Sequence, residues 1–252
     1  MGPRASLIGA TLLLAASLAA QTRLQEDFRS PSLHRERWVV TADGDFRERT
    51  VDVTSDHRLR LRADTVGTGD ETVKFLGLRT REAFAVGEGL CAAVTLDWNE
   101  QANGSYLSAA VILAGAQTLG NPLRGEDWLA AEYVGVPPGR NARLQLHSST
   151  SGRRRTLEDD GWPDAQRAGR KIGQVRVVLF VAPASIRLWE NGALRHQSTG
   201  PSPSAKRLFL HLQLSSHSNY PAREVYFDDV EVGSADAEEC GRLAASARAT
   251  GR

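Results

Sequence analysis

"LCAAVTLDWNEQANGSYLSAAVILA", residues 90–114, holds two apolar runs on either side of Asn103-Gly104, and the pairing of those runs decides the fold. Neither run has the 3.6-residue periodicity of a long helix, so each reads as a strand. Asn-Gly tolerates positive φ at both central turn positions, which is the backbone a tight hairpin needs. The expectation is an antiparallel pair, residues 90–98 beside residues 106–114, joined through Asn103-Gly104.

The same pattern extends outward in both directions. Arg58-Leu59-Arg60-Leu61-Arg62 alternates polar and apolar residues, giving a strand with one face for a core. Residues 129–134 read as another strand, followed by the turn Pro137-Pro138-Gly139. Further strands are expected at 142–147, 175–182, 185–190, 208–214 and 224–232, with Asn191-Gly192 as a second hairpin turn. Short strands separated by turn residues indicate an all-β sandwich or barrel. Residues 151–170 are polar and read as a long loop or lid, with Arg153-Arg154-Arg155 on a solvated turn. No repeat appears, and one domain at 21–233 precedes a polar tail at 234–252.

The start of the chain speaks to its compartment. Arg4 precedes an apolar run at 7–18 that is too short to span a bilayer, and Ser17 and Ala19 supply the small residues a signal peptidase requires. Residues 1–20 therefore read as a signal peptide and the product as exported, with no later stretch apolar enough to cross a membrane. The 31 basic residues balance 30 acidic ones, which gives no electrostatic footprint for nucleic acid or an anionic membrane. A monomer is expected. In an oxidising compartment the two cysteines, Cys91 and Cys240, read as a disulfide; the alternative is a buried Cys91 thiol and an unpaired tail cysteine.

Several segments carry a resemblance. "LRTREAFAVGEGLCAAVTL" (78–96), "FVAPASIRLWENG" (180–192) and "RLFLHLQLSSHSNYP" (207–221) are similar to strands of family 16 glycoside hydrolases, the laminarinases, lichenases and agarases. "EDFRSPSLHRERWVV" (26–40) and "EVYFDDVEV" (224–232) resemble the opening and closing strands of concanavalin A-like lectin and glucanase domains. The resemblance implies a jelly roll of two curved antiparallel sheets whose concave face holds a polysaccharide or glycan. Family 16 enzymes place Glu-x-Asp-x-x-Glu on a concave strand, with a nucleophile first and an acid/base last. Retaining hydrolysis needs those two carboxyls about 5–5.5 Å apart.

Set against that motif, "GEDWLAAEYVG" (125–135) puts Asp127 at the nucleophile position, Leu129 where the orienting Asp belongs, and Glu132 at the acid/base position. Glu126 shares the parity of Glu132 but stands too far along the strand to pair with it closely. The similar spacing in Thr95–Glu100 lacks the first Glu. The apparatus is incomplete, so carbohydrate binding is expected ahead of retaining hydrolysis, with a surface structural module without sugar ligand as the third reading. Trp128 and Trp189 are candidate stacking platforms, and Gln145, His147, His211 and Gln213 are candidate hydrogen-bonding groups on alternating strands. The same alternation is expected of any half-solvated sheet. His147, His211 and His217 lack the short spacing of a catalytic zinc site, and no nucleophile elbow or phosphate-cradling loop occurs. No cofactor is expected beyond a structural calcium, which the resemblance implies near Asp228-Asp229; two solvated acids on an edge bulge is the alternative. A bulge there would turn Val225, Phe227, Val230 and Val232 all inward.

Overall fold

A computed structural model describes residues 23–69, 73–98, 107–136, 141–160, 170–171, 173–216 and 221–246. The region read as a signal peptide, the Asn103-Gly104 and Pro137-Pro138-Gly139 turns, and His217 lie outside these residues. The chain opens with β1 (Leu24–Glu26), β2 (Trp38–Asp43), β3 (Glu48–Val53), β4 (Leu59–Asp64), β5 (Lys74–Thr80) and β6 (Phe84–Ala85). The middle holds β7 (Leu90–Asp97), β8 (Leu107–Ala114), β9 (Trp128–Val136), β10 (Asn141–Thr150), β11 (Arg153–Asp159) and β12 (Arg170–Lys171). Then come β13 (Gln174–Ala182), β14 (Ser185–Glu190), β15 (Ala193–Ser198), β16 (Arg207–Ser216), β17 (Arg223–Ser234) and the helix α1 (Ala237–Ser246).

The strands form two antiparallel sheets. One has the order β15-β14-β13-β7-β17-β4-β3 with β1 beside β17; the other has β11-β10-β9-β8-β16-β5-β2 with β12 beside β10 and β6 beside β16. The expected hairpin is corrected here. β7 lies between β13 and β17, whereas β8 lies between β9 and β16 in the opposite sheet. The physical reason is burial on both faces. Leu90, Ala92, Val94 and Leu96 enter the shared core, and so do Leu107, Ala109, Val111 and Leu113 of β8. The remaining apolar residues of each strand are covered from outside by other parts of the chain. Each strand is therefore central in its own sheet.

Between the sheets the inward residues pack as one cluster that includes Leu59, Leu61, Leu78, Leu129, Tyr133, Leu144, Leu188, Leu210 and Phe227. Full burial of such side chains is worth about 1.5–3 kcal/mol each. Tyr133 crosses the core to donate a hydrogen bond of 2.7 Å to Glu190 Oε1 on the facing sheet. The Asn191-Gly192 turn has φ of 49° and 78°, and β14 pairs with β15 across it as the sequence indicates. Ser151-Gly152 repeats that geometry, with φ of 48° and 79°. Residues 153–159 are thus an edge strand paired with β10, not part of a loop, and its three arginines are exposed, Arg154 reaching back over the sheet to Leu123 and Trp128.

The polar tail carries a helix around Cys240. Asp236 Oδ1 accepts a hydrogen bond of 2.7 Å from the Glu239 amide and starts α1 in a sequence of good helix formers. Cys240 and Ala244, one turn apart, are buried against Ala93, Val178, Phe180 and Trp189 on the outer face of the first sheet. The Cys91–Cys240 disulfide, with Cα atoms 5.7 Å apart, fastens the helix to β7. Trp189 consequently lies under this helix and not beside the other candidate sugar-binding residues, because β14 belongs to the other sheet.

The closing strand holds the expected bulge. Pairing of β17 with β7 shifts between Asp228 and Glu231, and Val225, Phe227, Val230 and Val232 all enter the core. Asp229 takes φ of 46° and donates its amide to Asp228 Oδ1 at 2.7 Å. The positive charge beside these acids is protein-borne, since Arg176 donates to the Asp229 carbonyl and lies 3.4 Å from Glu231. Among the described residues no group of three or more His, Cys, Asp and Glu side chains could hold a metal ion. Burial, followed by repulsion from Asp229 and Asp27, pushes the Asp228 pKa up to about 6 against the Asp229 amide and Arg58.

Two outcomes follow from this architecture. The 149-residue separation of the cysteines gives a loop-closure contribution of about 5 kcal/mol as an upper figure. The double variant Cys91→Ser/Cys240→Ser should lose about 2–5 kcal/mol in urea unfolding and red-shift tryptophan fluorescence as α1 leaves Trp189. For Asp228, a folded pKa above the ordinary 3.8 means that folding takes up a proton. Its stabilising effect is full below pH 3.8 and is lost as pH rises through about 6. Asp228→Asn should therefore raise stability above pH 6, by about 1–2 kcal/mol after discounting for solvent screening, and change little below pH 4.

Candidate functional site

Parity along β9 assigns its side chains. Pairing with β8 and β10 is unbroken, from Trp128 opposite Ala114 and Ser149 through Glu132 opposite Ala110 and Gln145. Leu129, Ala131 and Tyr133 face the core, so Trp128, Ala130, Glu132 and Val134 face outward. The same register brings Gln145 and His147 of β10 and His211 and Gln213 of β16 to that outer face. Five of the expected binding residues and Glu132 thus share one surface.

Asp127 does not join them. With no bulge in β9, it has the opposite parity to Glu132 and stands five residues away, about 16 Å along the strand. Its Oδ1 accepts from the Ser204 amide at 2.7 Å, the Ser204 hydroxyl at 2.8 Å and the Ser151 amide at 3.1 Å. Burial opposes ionisation, yet these hydrogen bonds outweigh it and hold the Asp127 pKa below its ordinary value. The residue pins two turns together. Glu126, the other candidate, is exposed, and its carbonyl accepts from Gly152 and Ser149.

The outer face divides into a covered part and an open part. Residues 115–127 leave β8, cross the sheet and reach its edge, where the Leu119 carbonyl accepts from the Ala42 amide at 2.8 Å. The strap returns through a 3-10 turn at Pro122–Arg124, started by Asn121, whose side chain accepts from the Leu123 amide at 3.0 Å. Arg124 pairs with Asp43 at 2.9 Å, and Arg154 donates to the Leu123 carbonyl at 2.8 Å. Leu123 packs on Ala110, Ile112, Ala114, Trp128 and Ala130. Trp128 is only 4% exposed, and Arg154 lies over its ring, so it is no open platform.

His211 is 1% exposed beneath the same strap. Burial first, then the neighbouring Arg79 guanidinium, push its pKa down to about 3 against a backbone group of Ala116. Gln213 is 5% exposed. This cover was not legible in the sequence, because residues 115–127 carry mainly turn-forming signals and little to show that Leu123 packs on the sheet.

Beyond the strap the face is open around three half-exposed side chains, Glu132, Gln145 and His147. Glu132 Oε1 accepts from Ser108 Oγ at 2.5 Å, and that hydroxyl also contacts Ser215. Gln145 donates to Asp159 Oδ2 at 2.9 Å, while Arg143 lies 3.5 Å from Asp159 Oδ1. His147 Nδ1 is 3.3 Å from Thr156 Oγ1. Burial lowers the His147 pKa, overcoming the opposing pull of Glu132 and Asp159, with Arg143 adding to the decrease. Asp159 and Thr156 were not singled out in the sequence; they come from an edge strand that a polar composition disguised, whereas Arg143 alternates with Gln145 and His147 on β10 as the sequence indicates. Asp159 lies two strands from Glu132, about 10 Å by strand spacing, and is already paired, so it does not stand at the retaining distance.

Neither a family model nor a curated protein matches the chain by sequence. Solved structures do match in shape. The β-glucanase of Bacillus licheniformis aligns with a TM-score of 0.55 at 15% identity, over 84% of this chain and 98% of that one. LamA of Zobellia galactanivorans, in complex with laminaritriose and laminaritetraose, aligns at 0.57 and 14% identity over 85% and 98%. The botulinum neurotoxin binding domain aligns at 0.52 and 10% identity, over 90% of this chain and 52% of that one. At these identities the likeness concerns fold, and in fold the chain is a concanavalin A-like jelly roll that distantly resembles the glucanases of glycoside hydrolase family 16.

Proposed function

We propose that the protein is an exported glycan-binding module whose contact surface is the open end of the outer sheet face. The observation that carries this reading is the cluster Glu132, Gln145 and His147, half-exposed on adjoining strands and turned to one side. Planar amide, imidazole and carboxylate groups offer fixed hydrogen-bonding edges to sugar hydroxyls without needing a reactive nucleophile. The oligosaccharide complex of LamA, on the same fold, supports a glucan-like chain as ligand. Export is supported by the Cys91–Cys240 disulfide, which suits an oxidising compartment. Among the described residues no helix is long and apolar enough to cross a membrane.

Binding is favoured over hydrolysis by the position of Asp127. A retaining mechanism requires a second carboxylate close to Glu132, and Asp127 is bonded into turns on the opposite parity. A misplacement of about 1 Å already costs on the order of a hundredfold in rate.

The test is a glycan array on the mature protein, followed by calorimetry with the oligosaccharides it identifies. Glu132→Gln and Gln145→Ala should each weaken binding by about fivefold to tenfold, the worth of one sugar hydrogen bond. Asp127→Ala should leave affinity unchanged and cost about 1–2 kcal/mol of stability through the lost turn contacts. Reducing-sugar release from β-glucans, agar and carrageenans should stay at background. Release that Glu132→Gln abolishes would put a hydrolase in place of this reading, and an array with no ligand would leave a structural module.

A further inference from the structure

Glu158-Asp159-Asp160 ends the edge strand β11 with three acids in a row, and only the middle one faces the open surface. Asp159 pairs in register with Gln145, and Glu158 with the core residue Leu146, so Glu158 and Asp160 turn toward the facing sheet. There they meet β15, the edge strand of the first sheet. Arg195 Nη2 donates to Asp160 Oδ1 at 2.6 Å, and His196 Nδ1 lies 3.5 Å from Glu158 Oε2. Asp160 Oδ2 accepts from the Leu144 amide at 3.0 Å. Arg195 also reaches back within its own sheet, where its Nε lies 4.0 Å from Glu190 Oε2. Glu190 Oε1 in turn accepts from the Tyr133 hydroxyl at 2.7 Å, and Tyr133 follows Glu132 on β9.

One guanidinium thus stands between an anchor of β9 and an anchor of β11, the two strands that flank β10 and its Gln145. The Asp160 and Glu190 side chains are only 16% and 8% exposed, against 34% for Arg195. Carboxylates withdrawn this far from water are costly without a cation nearby, so loss of Arg195 is felt at both. The end of β11 is where such a hold matters. This strand has β10 as its one neighbour in the sheet, follows a register shift between Leu146 and His147, and stops pairing at Asp159. Backbone at such a strand end opens more readily than central strands do. Asp159 Oδ2 accepts from Gln145 Nε2 at 2.9 Å, so freedom gained by Asp159 passes to Gln145.

We propose that Arg195 is a positioning residue for the glycan surface: from the facing sheet it holds Asp160, so that Asp159 keeps the Gln145 amide in one orientation beside Glu132. This rests on the reading of the open outer face as a glycan-binding surface. Arg195 itself does not touch the ligand, because it lies on β15 of the opposite sheet. With its nitrogen engaged by Asp159, the Gln145 amide presents its carbonyl oxygen to a sugar hydroxyl already ordered, and binding is spared the cost of fixing that side chain. Through Glu190 and Tyr133 the same guanidinium is joined to β9, so the strands carrying Glu132 and Asp159 share one anchor.

The experiment has two readouts on the mature protein: calorimetry with laminarin oligosaccharides, and NMR relaxation of the Gln145 side-chain amide, assigned through Gln145→Ala. Arg195→Met removes the charge and keeps an apolar stem, while Asp160→Asn keeps an acceptor for the Leu144 amide and removes the charge that Arg195 holds. Each should weaken binding by about threefold to tenfold, the worth of ordering one polar side chain, and turn an ordered Gln145 amide into a mobile one. Arg195→Lys, which restores a point charge without the fork, should lie between Arg195→Met and the parent in both readouts. Asp127→Ala, which loosens turns away from this seam, should leave both at the parent value. If the Gln145 amide stays as ordered in Arg195→Met as in the parent, or affinity is unchanged, the proposal is overturned and the glycan-binding reading stands. Equal effects of Asp127→Ala and Arg195→Met would mean general loosening and overturn it as well. If the parent binds no laminarin oligosaccharide, the glucan reading fails, and the amide signal alone decides whether Arg195 positions Gln145. Should Arg195→Met fail to fold, Asp160→Asn takes its place under the same outcomes.

Discussion

The unbroken pairing of β9 with a strand on each side is the constraint on which the functional surface rests. A strand has two faces, and a shift of one residue exchanges them. With the register fixed from Trp128 to Val136, Tyr133 must enter the core and reach Glu190, and Glu132 must face away from it. The same register excludes a bulge that would turn Asp127 toward Glu132. The distance between those two carboxylates is thus a consequence of sheet geometry, and no side-chain rotation recovers it.

Both sheets have a second covered face, and the chain covers each by a different device. On the first, α1 is laid across β7, β13 and β14 and fastened by the Cys91–Cys240 bridge. On the second, the strap crosses from β8 to β2 and back without a covalent tie. The bridged cover buries Cys91, Ala93, Val178 and Phe180, which are apolar and complete without a ligand. The unbridged cover reaches His211 through Ala116 and packs Leu123 on the cluster of Trp128, whose Nε1 remains without a hydrogen-bond partner. Apolar burial is favourable by itself, whereas burial of an unpaired polar group is not. The two covers therefore differ in kind, one completing a core and the other sealing a surface that still has hydrogen-bonding capacity.

Charge on the outer face is segregated in the same way. Arg79 stands at the β5 end without an acid, while Glu132 and Asp159 stand toward the β9–β11 end with Ser108, Gln145 and Arg143 satisfying them. His147 and His211, both held toward the neutral state by burial, lie one in each region. A face arranged this way presents distinct chemistry at its two ends.

Much of this was legible in the amino-acid order. Alternation and turn residues fixed most strands to within two or three residues, because burial of one face imposes period two wherever a strand lies. The disulfide came from two cysteines in a chain read as exported, and the Asn191-Gly192 hairpin, the inward-turning bulge after Asp228 and the shared face of Glu132, Gln145, His147, His211 and Gln213 came from local pattern. Four features came only from the tertiary structure: the separation of residues 90–97 and 107–114 into opposite sheets, the helix that takes Trp189, the pinning of Asp127 by Ser151 and Ser204, and the strap over Trp128 and His211. Each depends on contacts between residues far apart in sequence. A run buried on both faces looks the same in a hairpin as in two facing sheets, and a polar alternating face looks the same whether water or the chain itself lies on it. Local sequence determines which side of a strand is apolar; only the packing of distant segments determines what covers the other side.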